Sequence, residues 1–501
     1  MRTLALFFLL GNVVWFAACG GNGGTGSSTV TSVQVSCSPT TVSSGQTSQC
    51  SAMVFGTGNF NPAVEWGASA GTISTSGTFT APVVSSQTSV TITADSVQFG
   101  NVSGTATVTV VPTTSSVNQV PIVVDSGPNM NGQPIGTVNE AFVTVTICVP
   151  GTNTCQNIDH IQVDTGSEGL RLLSSASGGP LNLTLPQETD NSGNPLAECL
   201  VFADGYVWGN VATADIKVSG EVSPATPVQI IIPPSASPAV PNSCSSQNPA
   251  GGAGNEGGSV MELGANGILG VGPFPYDCGT ACTPQFQTQP VYYGCPSSGC
   301  FAENINLSQQ LINPAFGFTS TGDDNGVLIQ LPPVPNGGSP NPTGSLIFGI
   351  NTQSNNNLTQ AANVYLLDNN GNLSTVFNGT TYSSSFVDSG SNGLFFPDSS
   401  IPTCPSPNQV WYCPSTSPDN LSASNYGSGM NPPGITVNFS VEDATTLFST
   451  NNTAFSTLAG PIPASLSSFD FGLSFFYGRN VFTAIQDQTV SGGPTGPFVA
   501  Y

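Results

Sequence analysis

The chain has 501 residues, enough for two or three domains with sizeable cores. Only 6% of the residues are charged, and Lys and Arg number 4 against 27 acidic residues, for a formal net charge of -23. A protein that follows nucleic-acid phosphates needs clustered Lys and Arg, so this composition argues against nucleic-acid binding. The 58 Gly and 41 Pro favour short strands joined by turns and predict an all-β fold.

Residues 1–19 form a predicted targeting segment. Arg2 supplies a short positive region, and Leu4 to Phe16 form an apolar stretch too short to span a bilayer as a mature helix. The sequence Phe-Ala-Ala-Cys that ends at Cys19 resembles a bacterial lipobox, which implies acylation of Cys19. The alternative is an ordinary cleaved signal peptide followed by a chance cysteine.

Residues 20–29 are rich in Gly, Asn, Ser and Thr and predict a flexible tether. Gly20, directly after the predicted lipidation site, lacks the acidic residue expected of retention in the inner membrane. We therefore expect an exported protein anchored in the outer membrane, with the side that it faces left open.

The remaining cysteines are even in number and predict a set of disulfides. Close spacing predicts Cys37–Cys50, Cys148–Cys155 and Cys404–Cys413, and Cys199–Cys244 then follows by elimination. The other four lie in one loop and their pairing is open: Cys278, Cys282, Cys295 and Cys300. A zinc site is the competing interpretation of this cluster, and the absence of a neighbouring His disfavours it.

Residues 30–112 predict a small β-sandwich. Strand-like alternation appears at Val30 to Val35, Val90 to Ala94 and Thr105 to Val111, and Trp66 is a candidate core anchor. The segment from Gly71 to Pro82 resembles bacterial immunoglobulin-like domains of surface adhesins. A spacer and an adhesive module are both open as its role. Residues 113–119 are a predicted linker. Further along the chain, the Pro- and Gly-rich segments at about 222–262 and 330–343 predict loops.

After the predicted linker, an internal repeat is the feature that indicates a chemical function. Val163-Asp164-Thr165-Gly166-Ser167-Glu168-Gly169-Leu170 recurs as Val387-Asp388-Ser389-Gly390-Ser391-Asn392-Gly393-Leu394, in each case after strand-like residues. A bare Asp-Ser/Thr-Gly is weak evidence in this composition. The sequence Asp125-Ser126-Gly127, for example, lacks the continuation.

The repeated unit suits a pair of facing carboxylates. Two lobes that each present one Asp at a tight Gly turn bring Asp164 and Asp388 together, and two such carboxyls hold one proton between them. The ionised partner activates a water, and the protonated partner polarises the peptide carbonyl. We expect the Thr165 and Ser389 hydroxyls to bond across to the opposite loop. Four further residues complete the two turns and orient the carboxylates: Gly166, Ser167, Gly390 and Ser391.

On these motifs, residues 120–501 resemble the pepsin family of aspartic peptidases. The supporting strand that family members place behind each Asp loop is matched closely by Gly267 to Gly272 and loosely by Asp470 to Phe476. The resemblance implies a bilobal β-barrel module, with one lobe at 120–350 and the other at 351–501. It implies an acid endopeptidase that needs no cofactor and no metal, acts on peptide or protein substrates and works as a monomer. The chain also resembles a group of secreted bacterial proteins of unknown function.

The predicted flap departs from the family pattern. The matching hairpin runs from Phe202 through Asp204 and Gly205 to Tyr206, and it puts Phe202 where the family has a tyrosine. Arg171 occupies the position of the tryptophan that braces this tyrosine in the family. Tyr206 is a candidate substitute, with hairpin packing as its alternative role. The departures are compatible with a rebuilt flap or with a non-catalytic cleft.

Other functions fit the sequence less well than the peptidase. His160, the single histidine, would be needed by a serine-hydrolase triad, but no nucleophile turn accompanies it, which favours an exposed strand histidine. A non-catalytic surface protein that binds peptide or polymer, and an adhesive or structural lipoprotein acting through residues 30–112, remain the alternatives.

Overall fold

The structure is a computed structural model that describes residues 28–43, 45–82, 84, 87–111, 118–203, 205–247, 257–361, 363–430 and 434–501. The predicted signal peptide with Cys19, most of the tether and of the linker, and Asp204 lie outside these residues. The described residues form two compact units, residues 28–111 and residues 118–501.

Two four-stranded sheets make up the described part of the first unit. Their strands are β1 Thr29–Ser38, β2 Thr41–Ser43, β3 Thr47–Thr57, β4 Val64–Ala68, β5 Thr72–Ile73, β6 Thr78–Thr80, β7 Thr88–Ser96 and β8 Ser103–Val111. One sheet has the order β1-β3-β6-β5 and the other β2-β8-β7-β4. Phe79 from the first sheet and Val90, Ile92 and Val108 from the second share one buried core. The unit is therefore a β-sandwich.

The strands predicted in this sandwich are present and extend a few residues beyond the predicted runs. Strands β1, β7 and β8 include the three predicted segments, because alternate residues of each strand face the shared core. Trp66 is partly buried and packs against the same core. The immunoglobulin-like character of the sandwich stays a prediction.

The second unit is also built of strands. They are β9 Gln119–Val123, β10 Asn129–Met130, β11 Gln133–Pro134, β12 Phe142–Cys148, β13 Cys155–Asp164, β14 Glu168–Leu173, β15 Leu196–Val201, β16 Tyr206–Val218, β17 Glu221–Ile231, β18 Gly267–Val271, β19 Tyr292–Gly294, β20 Phe301–Ala302, β21 Gly326–Gln330, β22 Thr343–Phe348, β23 Val364–Leu366, β24 Leu373–Phe377, β25 Thr380–Val387, β26 Leu394–Phe395, β27 Asp419–Tyr426, β28 Ile435–Val441, β29 Ala459–Gly460, β30 Asp470–Phe471, β31 Asn480–Ala484 and β32 Phe498–Ala500. The all-β fold class predicted from composition is confirmed.

Helices in the described residues are short. The α-helices are α1 Asn242–Ser245, α2 Val260–Leu263, α3 Ala444–Phe448 and α4 Leu473–Phe476. The 3-10 turns are Ser175–Ser177, Gly279–Cys282, Leu307–Gln309, Leu358–Gln360, Ser428–Met430 and Ala464–Leu466. Within the described ranges, no helix combines the length and apolarity that crossing a bilayer requires.

One local strand order occurs twice in the second unit. The large sheet contains the run β12-β13-β18-β14-β17, and the seven-stranded sheet contains β24-β25-β30-β26-β29. In each run the strand that enters an Asp loop lies parallel to a later strand, which also pairs antiparallel with the strand that leaves the loop. The sequence repeat is therefore a repeat of topology. The two lobes implied by the resemblance to the pepsin family are present.

A central group of strands joins segments distant in sequence. The large sheet continues as β9-β22-β21-β31-β32-β23, so that Val327 of β21 lies opposite Phe348 on one side and Thr483 on the other. Leu328, Ile347 and Phe482 on these strands are almost fully buried in one apolar cluster. Residues 480–500 thus complete a sheet that residues 119–123 begin.

The segment after residue 221 differs from the prediction. We expected a Pro- and Gly-rich loop over residues 222–262, but Glu221–Ile231 is a strand that pairs with β16 and β14. A register shift in the β16–β17 pairing and the positive φ of Ala225 accommodate the prolines, and the apolar residues that follow drive burial.

Six disulfides connect the described cysteines. The four predicted pairs are confirmed: Cys37–Cys50, Cys148–Cys155, Cys199–Cys244 and Cys404–Cys413. The open cluster pairs as Cys278–Cys282 and Cys295–Cys300, which leaves no thiolate there for the zinc site considered as an alternative. A chain with this many disulfides belongs to an oxidising compartment outside the cytosol.

Replacing Cys199 and Cys244 together by Ser is expected to lower the free energy of unfolding by about 2–4 kcal/mol, because this bond closes a long loop of the unfolded chain. The bond spans 45 positions, whereas Cys404–Cys413 spans 9. Denaturant unfolding of the two double variants should show the smaller loss for Cys404→Ser with Cys413→Ser. A larger loss of unfolding free energy for the Cys404 and Cys413 double variant would contradict loop closure as the cause.

Candidate active site

The two repeated Asp residues lie in loops of the same conformation. Asp164 ends strand β13, and Asp388 directly follows β25. In the first loop Asp164 Oδ1 accepts a hydrogen bond of 2.7 Å from Gly166 N, and Oδ2 accepts one of 2.5 Å from Ser167 Oγ. In the second, Asp388 accepts from Gly390 N at 2.7 Å and from Ser391 Oγ at 2.8 Å. Each carboxylate is therefore held by its own turn.

Reciprocal hydrogen bonds tie the two loops together. Thr165 N donates to Ser389 Oγ over 3.1 Å, and Ser389 N donates to Thr165 Oγ1 over 2.9 Å. The same hydroxyls donate to backbone carbonyls of the opposite strands, Thr165 Oγ1 to Val387 O and Ser389 Oγ to Val163 O. Thr165 and Ser389 are buried. The cross-loop bonding expected from the sequence is present.

Two glycines allow the carboxyls to face each other. A Cβ on Gly166 would lie 2.8 Å from the Asp388 Cγ and Oδ1 atoms, and a Cβ on Gly390 would lie 2.6 Å from Asp164 Oδ1. These distances are below any tolerable contact, so any side chain at either position would collide with the opposite carboxyl. The loops thus bring Asp164 and Asp388 to one place, where Asp164 is 6% exposed and Asp388 is partly exposed.

The surroundings of Asp388 favour its protonated form. Burial, followed by the negative charge of Asp164, raises the pKa of Asp388 to about 8, against the opposing hydrogen bonds from Ser391 and Gly390. Two carboxyls that face each other closely hold one proton between them over a wide pH range. At acid pH Asp388 is therefore a proton donor beside Asp164.

Two further carboxyls lie close to the pair, and the sequence analysis did not single out either. Glu168 is 7% exposed and accepts from Phe274 N over 3.1 Å; burial, with the charge of Asp164, raises its pKa to about 8. Asp470 is 5% exposed, and burial, with the charge of Asp388, raises its pKa well above the usual range. An acidic residue between Phe469 and Phe471 is the sequence signal that could have revealed Asp470.

Arg171 lies beneath the first loop rather than in an open cleft. Its side chain is fully buried, with Nη2 at 2.6 Å from Glu198 Oε1 and 3.5 Å from Asp277 Oδ2. Nη1 donates to the backbone carbonyl of Glu168 over 2.7 Å. Burial and the charge of Glu198 raise the pKa of Asp277, which favours its neutral form beside the ion pair of Arg171 with Glu198. Arg171 thus fastens the loop to strand β15.

The described residues of the predicted flap, Phe202, Gly205 and Tyr206, lie at the tip of a hairpin. Strands β15 and β16 form the hairpin, with Phe202 N donating to Gly205 O at its tip. Phe202 is partly buried beside Leu173 and Val207. Tyr206 is 6% exposed and packs in a cluster with Trp208. The Cys199–Cys244 disulfide fixes the base of the hairpin.

The third Asp-Ser-Gly sequence has a different setting. Asp125 Oδ1 accepts from Gly127 N at 2.9 Å, and Oδ2 lies 3.3 Å from His160 Nε2. The His160 side chain is 16% exposed and packs edge-on against Phe142. The expectation of an exposed histidine is wrong, because two carboxylates, Asp125 and Asp159, hold the ring against strand β12. The hydrogen bond with Asp125 raises the pKa of His160.

Comparisons with known proteins give a family and a likeness to solved structures. A family model described as "Protein of unknown function (DUF3443)" matches residues 114–501. No curated protein matches the chain. Among the solved structures similar to it is the crystal structure of an aspartic proteinase from Irpex lacteus, with 13% identity, coverage of 76% of this chain and 96% of that chain, and a TM-score of 0.42. A likeness at this score decides nothing about function.

Replacing Thr165 by Val should lower the free energy of unfolding by about 1–3 kcal/mol, because Ser389 N–H and Val387 C=O lose their buried partner. Denaturant unfolding measures the loss. Thr152→Val is the control, since its hydroxyl is exposed and bonds only within its own turn, to Val149 O and Thr154 N, and its loss should stay within about 0.5 kcal/mol. Equal losses for the two variants would contradict a stabilising role for the cross-loop bonds.

Stability should fall as pH rises from about 4 to about 8. In the unfolded chain Glu168 and Asp388 ionise near their model values of 4.5 and 3.8, whereas in the native protein each keeps its proton up to about 8. The native state therefore binds more protons than the unfolded chain across this window, so the free energy of unfolding falls with rising pH, by at most about 1 kcal/mol per pH unit for each group.

Chemical denaturation at several pH values, with the disulfides intact, measures this slope. Asp388→Asn should make it shallower. Asp190→Asn is the control, because hydrogen bonds from Asn194 and Ser192 lower the pKa of Asp190 and place its linkage below this window. A slope that is unchanged by Asp388→Asn would show that Asp388 is ionised in the native state.

Proposed function

Since the chain belongs to the DUF3443 family of proteins of unknown function, we propose its activity from the site itself: it is an aspartic endopeptidase. The observation that carries the proposal is the pair of Asp loops, alike in hydrogen bonding and facing each other so closely that only glycine fits at positions 166 and 390. Asp164 and Asp388 are the proposed catalytic residues.

The proposed reaction is hydrolysis of a peptide bond by a water held between the two carboxyls. Asp164 takes a proton from the water as its oxygen attacks the peptide carbonyl carbon, and Asp388 gives its proton to the carbonyl oxygen. The resulting tetrahedral diol collapses when Asp164 passes its new proton to the nitrogen, one diol hydroxyl gives a proton to Asp388, and the C–N bond breaks. One proton has then returned to the pair, so no metal and no cofactor enters the balance.

Hydrogen bonds in each loop suit these roles. Ser167 Oγ and Gly166 N both donate to Asp164, which lowers the cost of its negative charge before it acts as the base. The raised pKa of Asp388 keeps that carboxyl protonated in acid solution, as its role as the donor requires. We propose that activity is highest on the acid side, where the pair holds a single proton.

The proposed substrate is an extended segment of peptide or protein. The protein is proposed to be a monomer, exported and held at the outer membrane by a lipid on Cys19. The six disulfides support folding outside the cytosol. With the excess of acidic residues, no nucleic-acid partner is proposed.

One alternative is a non-catalytic member of the same fold that binds peptide or polymer. The hairpin favours it: Phe202 has no hydroxyl, and the Tyr206 ring is packed beside Trp208. A flap tyrosine of the kind found in the pepsin family is therefore missing from the described tip.

The peptidase is tested with the exported, disulfide-bonded protein and an unfolded protein substrate from about pH 2 to 8. Asp164→Asn and Asp388→Asn should each lower the rate of cleavage about 10²–10⁴-fold, the usual range for a lost acid or base. Asp125→Asn, in the Asp-Ser-Gly sequence outside the site, should stay near the wild-type rate. A statine-type inhibitor should block the wild-type protein.

Two results would reject the proposal. Cleavage that persists in both Asp164→Asn and Asp388→Asn would come from another site or a contaminant. No cleavage at any pH by a folded protein that still binds the statine-type inhibitor would instead support the non-catalytic binding protein.

A further inference from the structure

Arg479 is a partly buried cation without an acidic partner. The chain has 4 Lys and Arg against 27 acidic residues, yet among the described residues the ion pairs are made by Arg171 and His160. Arg479 Nη1 donates to Phe475 O over 2.6 Å, and its guanidinium carbon lies 4.3 Å from the centre of the Phe475 ring. A cation that pairs with none of so many carboxylates calls for a functional explanation.

Aromatic rings form a firm base for this guanidinium. The Phe475 ring meets the Tyr501 ring edge-on with centres 4.8 Å apart, and Tyr501 stacks on Tyr365 at 4.9 Å. Asn425 Nδ2 donates to the Tyr501 hydroxyl over 2.7 Å. Phe475 and Tyr365 are buried. Arg479 is therefore held in one place, which lowers the entropy that it loses when a ligand binds.

Arg479 lines a cavity of about 440 Å³. Residues 435–438 and 478–480 supply most of the wall, and Gln360, Asn363 and Tyr501 complete it. None of these lining residues is acidic. Burial lowers the pKa of Arg479, against an opposing effect of Tyr501, as expected of a cation drawn partly out of water with no anion beside it. An anionic group in the cavity would supply the missing partner.

The same cavity borders the end of a sheet. Strand β28 is the last strand of the seven-stranded sheet, and within the described part of the chain it pairs with β27 alone. Thr436 and Asn438 on this strand are exposed. The outer edge of such a strand presents backbone N–H and C=O groups with which an extended chain can pair. A fixed cation and an open strand edge thus line one cavity.

We propose that Arg479 and the edge of β28 bind an extended acidic segment of a protein. The segment pairs with β28 through its backbone and places a carboxylate on the guanidinium, whose planar N–H groups suit two carboxylate oxygens. The site shares no residue with the Asp loops and does not rest on the proposed function. The acidic residues elsewhere in the chain oppose such a ligand weakly, because charges more than about 8–10 Å away are screened at physiological salt.

A labelled hexapeptide of alternating threonine and valine with one central glutamate is the probe. Fluorescence anisotropy at about pH 7.5 measures its binding to the disulfide-bonded protein. At low salt the peptide should bind about fivefold more tightly than the matched peptide with glutamine, the upper range for a partly exposed ion pair. The difference should shrink as salt is added.

Two further peptides test the pairing with β28. Each carries N-methyl groups on alternate backbone nitrogens, in one of the two possible frames. Since an extended chain turns alternate N–H groups toward the same neighbouring strand, one frame should abolish binding and the other should retain it.

Substitutions test the cation. Arg479→Gln should remove the preference for the glutamate peptide, and Arg479→Lys, which keeps the charge, should retain part of it. Lys217→Gln is the matched control, because it removes the same charge from strand β16 of the first lobe and should leave the dissociation constants of both peptides unchanged. Circular dichroism and the mass of the intact disulfide-bonded protein confirm that each variant is folded.

Several results would overturn the proposal. They are equal binding of the glutamate and glutamine peptides by the wild-type protein, a preference that survives Arg479→Gln, and binding that both methylated frames retain. No peptide binding up to about 1 mM, where the binding free energy falls to about 4 kcal/mol, would overturn it too, even if inorganic phosphate bound to Arg479. Displacement by a statine-type inhibitor would place the peptide between the Asp loops instead. None of these measurements needs cleavage, so the site and the peptidase stand or fall separately.

Discussion

The reciprocal hydrogen bonds between Thr165 and Ser389 are the constraint on which the rest of the second unit depends. Each hydroxyl accepts from the backbone of the opposite loop and donates to the backbone of the opposite strand, so neither loop reaches its conformation without the other. Buried donors and acceptors left without partners are costly, and this cost enforces the meeting of the two lobes. The close packing of the carboxyls at Gly166 and Gly390 follows from it.

Two acidic loops repel each other when they are brought together. The protein reduces this repulsion by keeping protons on carboxyls of the site, not by placing cations beside them. Glu168 and Asp388 both have pKa values raised to about 8, and that of Asp470 is raised as well. Arg171, the one fully buried cation of the described residues, is committed to Glu198 and Asp277. Uncharged carboxyls can be buried beside the aromatic rings of Phe469 and Phe471 at far lower cost than carboxylates.

How far the sequence predicts this structure depends on whether a feature is local. The duplicated Asp-Ser/Thr-Gly-Ser motif predicts the cross-loop bonds, and short spacing predicts the hairpin disulfides; both are present. Strand β17 was not predicted, because prolines disfavour a strand when only the neighbouring residues are considered, and its apolar residues do not offset them. Asp470 lies behind the second Asp loop because β30 pairs with β25, a strand far from it in the chain, and no local pattern marks that pairing. The partners of Arg171 escaped prediction for the same reason.

The central strands have a consequence for the timing of folding. Strands β31 and β32, the last in the chain, pair with β21 and β23, and β9, the first strand of the unit, pairs with β22. A chain that leaves the cytosol from its N-terminus must therefore wait for residues 480–500 before this sheet can close. Such non-local pairing slows folding. The sheet that residues 119–123 begin can therefore close only when nearly the whole second unit is available for pairing.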